Sequence, residues 1–489
     1  MIDGFPGQPT IVPGDDVALH VSTDARLFCV DFYRCGAGME LMGRSPWMVG
    51  RHLPNHLPYQ DWAQNNLGLH GEDLEGWPAY RFPIPEHWKS GPYVAIFVEG
   101  DENGNELRRP DAPTPDARHS KALFVVKSAT PGATASMLYK LPLLTYHAYN
   151  RCSRLGYDPA TRQGGWSLYT VPRPDHLPAP VPPAVSVHRP GGGTGGTPSD
   201  IANFDPFDPT PRQTFAHWDA PFISWLERNG YSVDYCTDLD VHDHAGRELL
   251  RRYRLLISVG HDEYWSDAMR ENVERFVGEG GNVAFFGGNT CWWRVTFDDQ
   301  LSFRRVATWS EAGSPNHPEN SLTGVSFRNG GERDLDDHPL PVGYQVQHAD
   351  HWLYEGTGLR DGETFGDRPG EYIVGYECDG ADFDRSALER GQRVHPTGND
   401  GTPESFVILG IGDVAPSGWG TGNRAATMGL HSNNGTVFTA ATTDWARLLA
   451  GEPHPVVEQI TGNVLDHLAT TGSKGDGSRP PPRRGAGGD

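Results

Sequence analysis

The stretch from Tyr253 to Trp293, YRLLISVGHDEYWSDAMRENVERFVGEGGNVAFFGGNTCWW, constrains the fold more than any other part of the chain. Leu255 to Val259 is a run of apolar or small residues without polar alternation, the pattern of a strand buried on both faces of a parallel sheet. Gly260 ends the run. His261, Asp262, Glu263, Tyr264 and Trp265 follow before Ser266, a good helix N-cap, and Asp267, a carboxylate where the helix dipole favours one. Met269, Val273, Phe276 and Val277 fall on one helical stripe that Gly280 and Gly281 stop. Val283 to Phe286 is a second apolar run, ending in Gly287, Gly288 and Asn289. The spacing predicts a βαβ unit. Ligands in open α/β sheets collect beyond the carboxyl ends of the strands, so both polar turns point to one rim.

A chain of 489 residues is long enough for two or three domains. Its net charge of -22 and pI near 5.3 argue against nucleic-acid or anionic-membrane partners, which need a basic face. The N-terminus MIDGFPGQPTIVPGDD has neither a basic n-region nor an apolar h-region. No apolar run approaches the ~18 residues of a membrane span, so a cytoplasmic protein is expected. Cys29, Cys35, Cys152, Cys236, Cys291 and Cys378 are scattered without a C-x-x-C pair or zinc spacing, which favours reduced structural thiols.

Residues 1–128 alternate short apolar runs with Pro and Gly turns. DDVALHVS places Val17, Leu19 and Val21 on one face, and the pattern predicts an all-β, immunoglobulin-like sandwich. Residues 129–471 read as an α/β catalytic domain, a doubly wound parallel sheet of amidotransferase-like type. MLYKLPLLTYHAYN reads as a strand leading into a polar aromatic turn, and APFISWLERN as a helix burying Phe222, Trp225 and Leu226. The Pro- and Gly-rich residues 172–214 are too long for an ordinary connection and suggest a lid. Residues 472–489 have no apolar content to bury and are expected to be disordered.

The turn GHDEYW puts an imidazole, two carboxylates and a phenol at the end of one apolar run. Two uses stand side by side: the carboxylates cap the following helix and the aromatics pack, or the group does chemistry. A nucleophile elbow needs Ser or Cys at its apex, and position 262 is Asp. Carboxylate and phenolate oxygens suit a hard cation, and a tyrosinate ligand favours ferric iron over zinc. Further candidates are His348, Asp350, His351 and Glu355 in HADHWLYEGTGL, Glu377 in VGYECD, Asn289 on the rim, and Tyr146, His147 and Asn150 in TYHAYN. Arg189, within the expected lid, is either a group reaching over the site or an exposed side chain.

LISVGHDEYWS, VAFFGGNTCWW, DHWLYEGTGL, VGYECD, VFTAATTDWA and QITGNVLDHL, in this order, resemble the large (beta) subunit of the N,N-dimethylformamidase family over most of residues 130–470. The N-terminal sandwich is similar to the accessory domain that often precedes it. The resemblance implies a mononuclear ferric (Fe3+) centre, held by two tyrosines and a glutamate, that hydrolyses a small formamide to formate and an amine. Carried onto this chain, Tyr264 matches one tyrosine and Glu377 the carboxylate, with Asp350 as competitor. Tyr235 stands for the second tyrosine, with Tyr146 as the other candidate. His261, Glu263 or His351 would move protons and Asn289 would orient the amide. The expected protein is therefore a metal-dependent amidohydrolase of linear amides, with a small-molecule substrate and either a homo-oligomeric state or a small partner subunit. The competing class is a non-catalytic binding or assembly protein on the same fold that has lost its metal, and the second tyrosine separates the two.

Overall fold

The computed structural model describes residues 2–53, 60–61, 66–67, 76–108, 121–150, 167–168, 184–191, 193, 214–299, 301–311, 317–333, 342–368, 372–414, 418–419 and 424–470. The tail at 472–489, Cys152 and most of the expected lid at 172–214 lie outside them. The other five cysteines are buried.

The expected βαβ unit forms. Strands Leu255–His261 and Asn282–Gly288 pair in parallel, from Leu255 opposite Asn282 to His261 opposite Gly288. Helix Asp267–Gly278 connects them, capped by the Ser266 hydroxyl, which accepts from the Met269 N–H at 3.2 Å. Its buried stripe of Met269, Val273, Phe276 and Val277 shares a core with Leu256, Val283 and Phe285.

That unit sits in a nine-stranded sheet. Val233–Thr237, Met137–Leu141, Leu255–His261, Asn282–Gly288 and Gly435–Thr439 run parallel in that spatial order. Ala425–Asn433, Val407–Asp413, Tyr344–Val346 and Thr364–Phe365 then continue it with antiparallel pairings. The expectation of a doubly wound parallel sheet is thereby overturned: the sheets are mixed, and strand (38%) outweighs helix (21%). The physical reason lies in the connections. A parallel neighbour needs a crossover of about a dozen residues, whereas an antiparallel one needs only a turn. Ala425–Asn433 reaches Gly435–Thr439 through Asn434 alone, at φ 61°, which leaves no room for a helix.

Before this sheet, Ile2–Pro6, Asp16–Thr23 and Ala79–Pro83 form a three-stranded antiparallel sheet. It shares a core with a seven-stranded sheet built on Leu27–Cys35, Gly91–Gly100 and Lys121–Val126. Val17, Leu19 and Val21 all enter that core, beside Phe28, Phe97 and Phe124. The two sheets also meet the edge strand Val233–Thr237, whose Tyr235 N–H donates to Ser90 Oγ at 2.9 Å. Arg34 forks onto Glu227, and Lys127 pairs with Asp240 at 2.6 Å. Covering an edge in this way removes a template for unwanted pairing.

Helix Asp219–Arg228 packs on the large sheet through Phe222, Trp225 and Leu226. Asp219 begins it, fully buried, and accepts from the phenols of Tyr139 (2.6 Å) and Tyr146. Burial pushes this carboxyl up to about 7, with the two phenol bonds opposing the shift. A carboxyl raised in the folded state contributes stability that is complete below its unfolded value of about 4 and is lost as the pH climbs to 7. Asp219→Asn is therefore expected to flatten the fall in melting temperature between pH 4 and 7, measured by calorimetry. An unchanged slope would show that Asp219 does not carry it.

Candidate active site

The site rests on one buried cation. Lys140, with no exposure, stands near the end of Met137–Leu141 and donates to Asp238 Oδ1 at 2.5 Å and Asp262 Oδ1 at 2.8 Å. Burial alone would lower its pKa, but the two carboxylates outweigh burial and raise it. Asp238 also accepts from the Leu144 N–H at 2.8 Å. Asp262 accepts from Ser258 Oγ at 2.5 Å and from the Trp265 indole at 3.0 Å. One ammonium thus ties the end of Val233–Thr237, the start of helix Leu143–Tyr149 and the polar turn after Leu255–His261.

With Asp262 held, its neighbours on either side converge. His261 Nε2 lies 2.7 Å from Glu377 Oε2 and 3.4 Å from Glu263 Oε2. The Glu263 N–H donates to Thr145 Oγ1 at 3.0 Å, and the Tyr149 phenol donates to Glu263 Oε2 at 3.0 Å. Asn289 Nδ2 donates to Glu377 Oε2 at 2.9 Å. Rings enclose the imidazole: Tyr149 and Trp218 each have centroids 5.4 Å away, and Tyr376 stands edge-on at 6.2 Å. Gly260, at φ 72°, is required for this, because a Cβ there would fall 2.5 Å from Trp218 Cβ.

His261, Glu263 and Glu377 are all buried, so their charges interact strongly. Burial disfavours a charged His261, yet Glu377 and then Glu263 overcome it and hold the imidazole at about 9, protonated at neutral pH. Burial raises the Glu263 carboxyl, with His261 opposing. Burial also raises Asp379 to about 8, against a 3.2 Å bond from the Thr290 N–H. Upward shifts on neighbouring groups of one buried cluster mark candidates for proton exchange.

Four of the expected residues, His261, Glu263, Asn289 and Glu377, therefore come together. Tyr149 joins them although TYHAYN pointed instead to Tyr146, which bonds Asp219. The signal was helical: Thr145 and Tyr149 are four apart and share a face on helix Leu143–Tyr149, where a turn was expected. Tyr264 lies in strand Tyr264–Ser266, its ring edge-on to Phe303 at 5.8 Å. Tyr235 is separated from Leu255–His261 by the intervening Met137–Leu141 strand. It packs against Tyr139 and lines a cleft of about 580 Å³ with Arg34, Trp88 and Tyr231, so the expected pairing of Tyr235 with Glu377 is corrected. His351 caps the short turn Trp352–Tyr354, accepting from the Leu353 N–H at 3.2 Å, and burial lowers it to about 4. It serves as a cap there. Asp350 is exposed and pairs with Arg393 at 3.4 Å. Arg189 is buried rather than exposed, donating to the carbonyls of His147 and Asn150 at the end of Leu143–Tyr149, where a cation suits the helix dipole. Among the described residues, no three His, Cys, Asp or Glu side chains are arranged to hold a metal ion.

The site thus gathers an imidazole and two buried glutamates beyond the carboxyl end of a parallel strand. The family model described as "N,N-dimethylformamidase beta subunit-like, C-terminal" matches residues 31–459, and the chain belongs to that family. The match starts inside the N-terminal sheets, earlier than residue 130. The chain is similar to proteins named N,N-dimethylformamidase beta subunit from Alcaligenes sp, 28% identical over 303 residues, and Paracoccus aminophilus, 27% identical over 295. Each alignment covers 53% of this chain and 38% of the relative, so the chain spans well under half the length of these relatives. Among the described residues no helix is long and apolar enough to cross a membrane.

Lys140→Met leaves Asp238 and Asp262 buried without their cation. It is expected to cost about 3–5 kcal/mol of stability, read from urea denaturation. A loss below about 1 kcal/mol would show that the turn is held by other contacts.

Proposed function

We propose that this chain hydrolyses the C–N bond of a small linear amide or formamide, with Glu377 as base and His261 as acid. The observation that carries the reading is the 2.7 Å contact of a buried, protonated imidazole with a glutamate that Asn289 also holds. Amide hydrolysis needs a proton removed from water and a proton delivered to the leaving nitrogen. Glu377 takes the first and His261 gives the second, releasing a carboxylic acid and an amine. The rings of Trp218, Tyr149 and Tyr376 keep bulk water from the pair, which strengthens the electrostatics between them.

The family implies a ferric ion, and the donors fit a hard cation in type: Tyr149 and Glu263 bring a phenol and a carboxylate within 3.0 Å. These two residues would hold it, with Glu377 retained by His261 and Asn289. When bound, the ion would act as a Lewis acid on the carbonyl oxygen or lower the pKa of water. Because the relatives are named as subunits, a small partner subunit or a second copy is proposed to complete the enzyme, in the cytoplasm.

Protein made in iron-replete medium is expected to release formate from formamides. Glu377→Gln should lower kcat by about a hundredfold or more. Tyr149→Phe and Glu263→Gln should lose iron and visible tyrosinate absorption, whereas Tyr264→Phe keeps both. Colour retained in Tyr149→Phe but lost in Tyr264→Phe would move the ligand to Tyr264. Iron-free, inactive wild-type protein would favour the binding or assembly class.

A further inference from the structure

We infer that Asp379 is a positioning residue for the reaction: it holds the turn after Asn282–Gly288 so that the Asn289 amide meets Glu377, the carboxylate that takes a proton from water. This rests on the hydrolase reading and adds to it a residue that works on the base through Asn289.

Glu377 and Asp379 are two apart on strand Glu377–Gly380, and side chains at that spacing leave a strand on the same face. Both meet the same turn. Glu377 Oε2 accepts from the Asn289 side-chain amide at 2.9 Å. Asp379 Oδ2 accepts from the Thr290 backbone N–H at 3.2 Å, and the Asn289 N–H adds a weaker second contact. Two carboxylates of one strand thus take hold of adjoining parts of one turn, the first by a side chain and the second by the backbone. Asp379 is buried, and among the described residues its side-chain hydrogen bonds go to these backbone groups.

The turn needs such a hold. Asn289 and Cys291 both have left-handed backbones, at φ 49° and 59°, a conformation that residues with a Cβ keep only where the surroundings enforce it. The strand is fixed independently: the Asp379 N–H donates to the Ala441 carbonyl at 3.0 Å, and Cys378 and Glu377 pair with Gly331 and Glu332. At its far end the turn is tied to the polar cluster, where the Cys291 N–H donates to the Asp262 carbonyl at 2.8 Å. Asp262 therefore sets the turn against His261, and Asp379 sets it against Glu377. Without Asp379 the buried Thr290 N–H loses its acceptor, and a turn that moves to find another takes the Asn289 amide away from Glu377.

The test is a double-mutant cycle on the whole protein. Asp379→Ala is expected to lower kcat for formamides by about ten- to a hundredfold, the scale of a misplacement near 1 Å, with KM changed by less than about threefold. Asp379→Asn, whose amide oxygen still accepts from Thr290, is expected to recover most of that loss. In an Asn289→Ala background, Asp379→Ala should lower kcat by less than about threefold, because the contact it serves is already gone. Equal losses in both backgrounds overturn the inference, since Asp379 would then act independently of Asn289. A loss in Asp379→Asn as large as in Asp379→Ala overturns it too, by making the ionisable carboxyl itself the requirement. Should Asp379→Ala not fold, Asp379→Ser replaces it in the cycle. If the wild type hydrolyses no formamide the hydrolase reading fails on its own, and hydrogen exchange of the segment from Phe286 to Trp293 then decides. Faster exchange there in the Asp379 variant, with the rest of the chain protected as in the wild type, sustains the hold on the turn, and unchanged exchange ends it.

Discussion

Everything at the site depends on the ammonium of Lys140 being enclosed by Asp238 and Asp262. Removing a lysine from water costs several kcal/mol, and mutual attraction repays it only when the geometry is close and the remaining lone pairs are filled. Both conditions hold: the two contacts are 2.5 and 2.8 Å, and the outer oxygens of the aspartates accept from Leu144 and Ser258. The yield is register more than stability. A hydrophobic replacement would pack, but it would not dictate where the Asp262 turn sits relative to helix Leu143–Tyr149.

That register is what the chemistry needs. His261 and Glu263 flank Asp262, and Thr145 and Tyr149 follow the segment that Asp238 holds, so one ion pair sets both halves of the Tyr149–Glu263 contact. The consequence is electrostatic. Two carboxylates around one imidazole in a desolvated pocket keep a histidine protonated and make a glutamate reluctant to ionise.

The βαβ unit was legible because its signals are local: an unbroken apolar run, a Ser266 cap, a stripe at helical spacing. His261 and Glu263 were legible for the same reason, as polar groups beyond a buried strand. Lys140 was not, because a single lysine in MLYKL reads as solvent-facing and nothing in its neighbourhood shows that two aspartates a hundred residues away enclose it. Tyr149 was missed through a turn read where a helix forms, and Tyr235 was favoured because strand ends were treated as one rim when its strand lies at the edge. His351 and Asp350 sit in a motif of the right composition, but composition does not distinguish a turn cap from an acid.

The mixed sheet also matters to the chemistry. In a doubly wound parallel sheet every site group comes from a strand end or the turn after it. Glu377 arrives differently, on Glu377–Gly380, a strand of a separate three-stranded sheet, next to a bridge between Cys378 and Thr442 just past Gly435–Thr439. The Thr443 N–H donates to the Glu377 carbonyl at 3.1 Å. Gly288 admits this backbone onto the end of Asn282–Gly288, since a Cβ there would fall 2.6 Å from the Glu377 carbonyl oxygen and 2.7 Å from the Thr443 nitrogen. The parallel half therefore supplies the imidazole and the turn, and the chain that runs through the antiparallel half delivers the carboxylate to it.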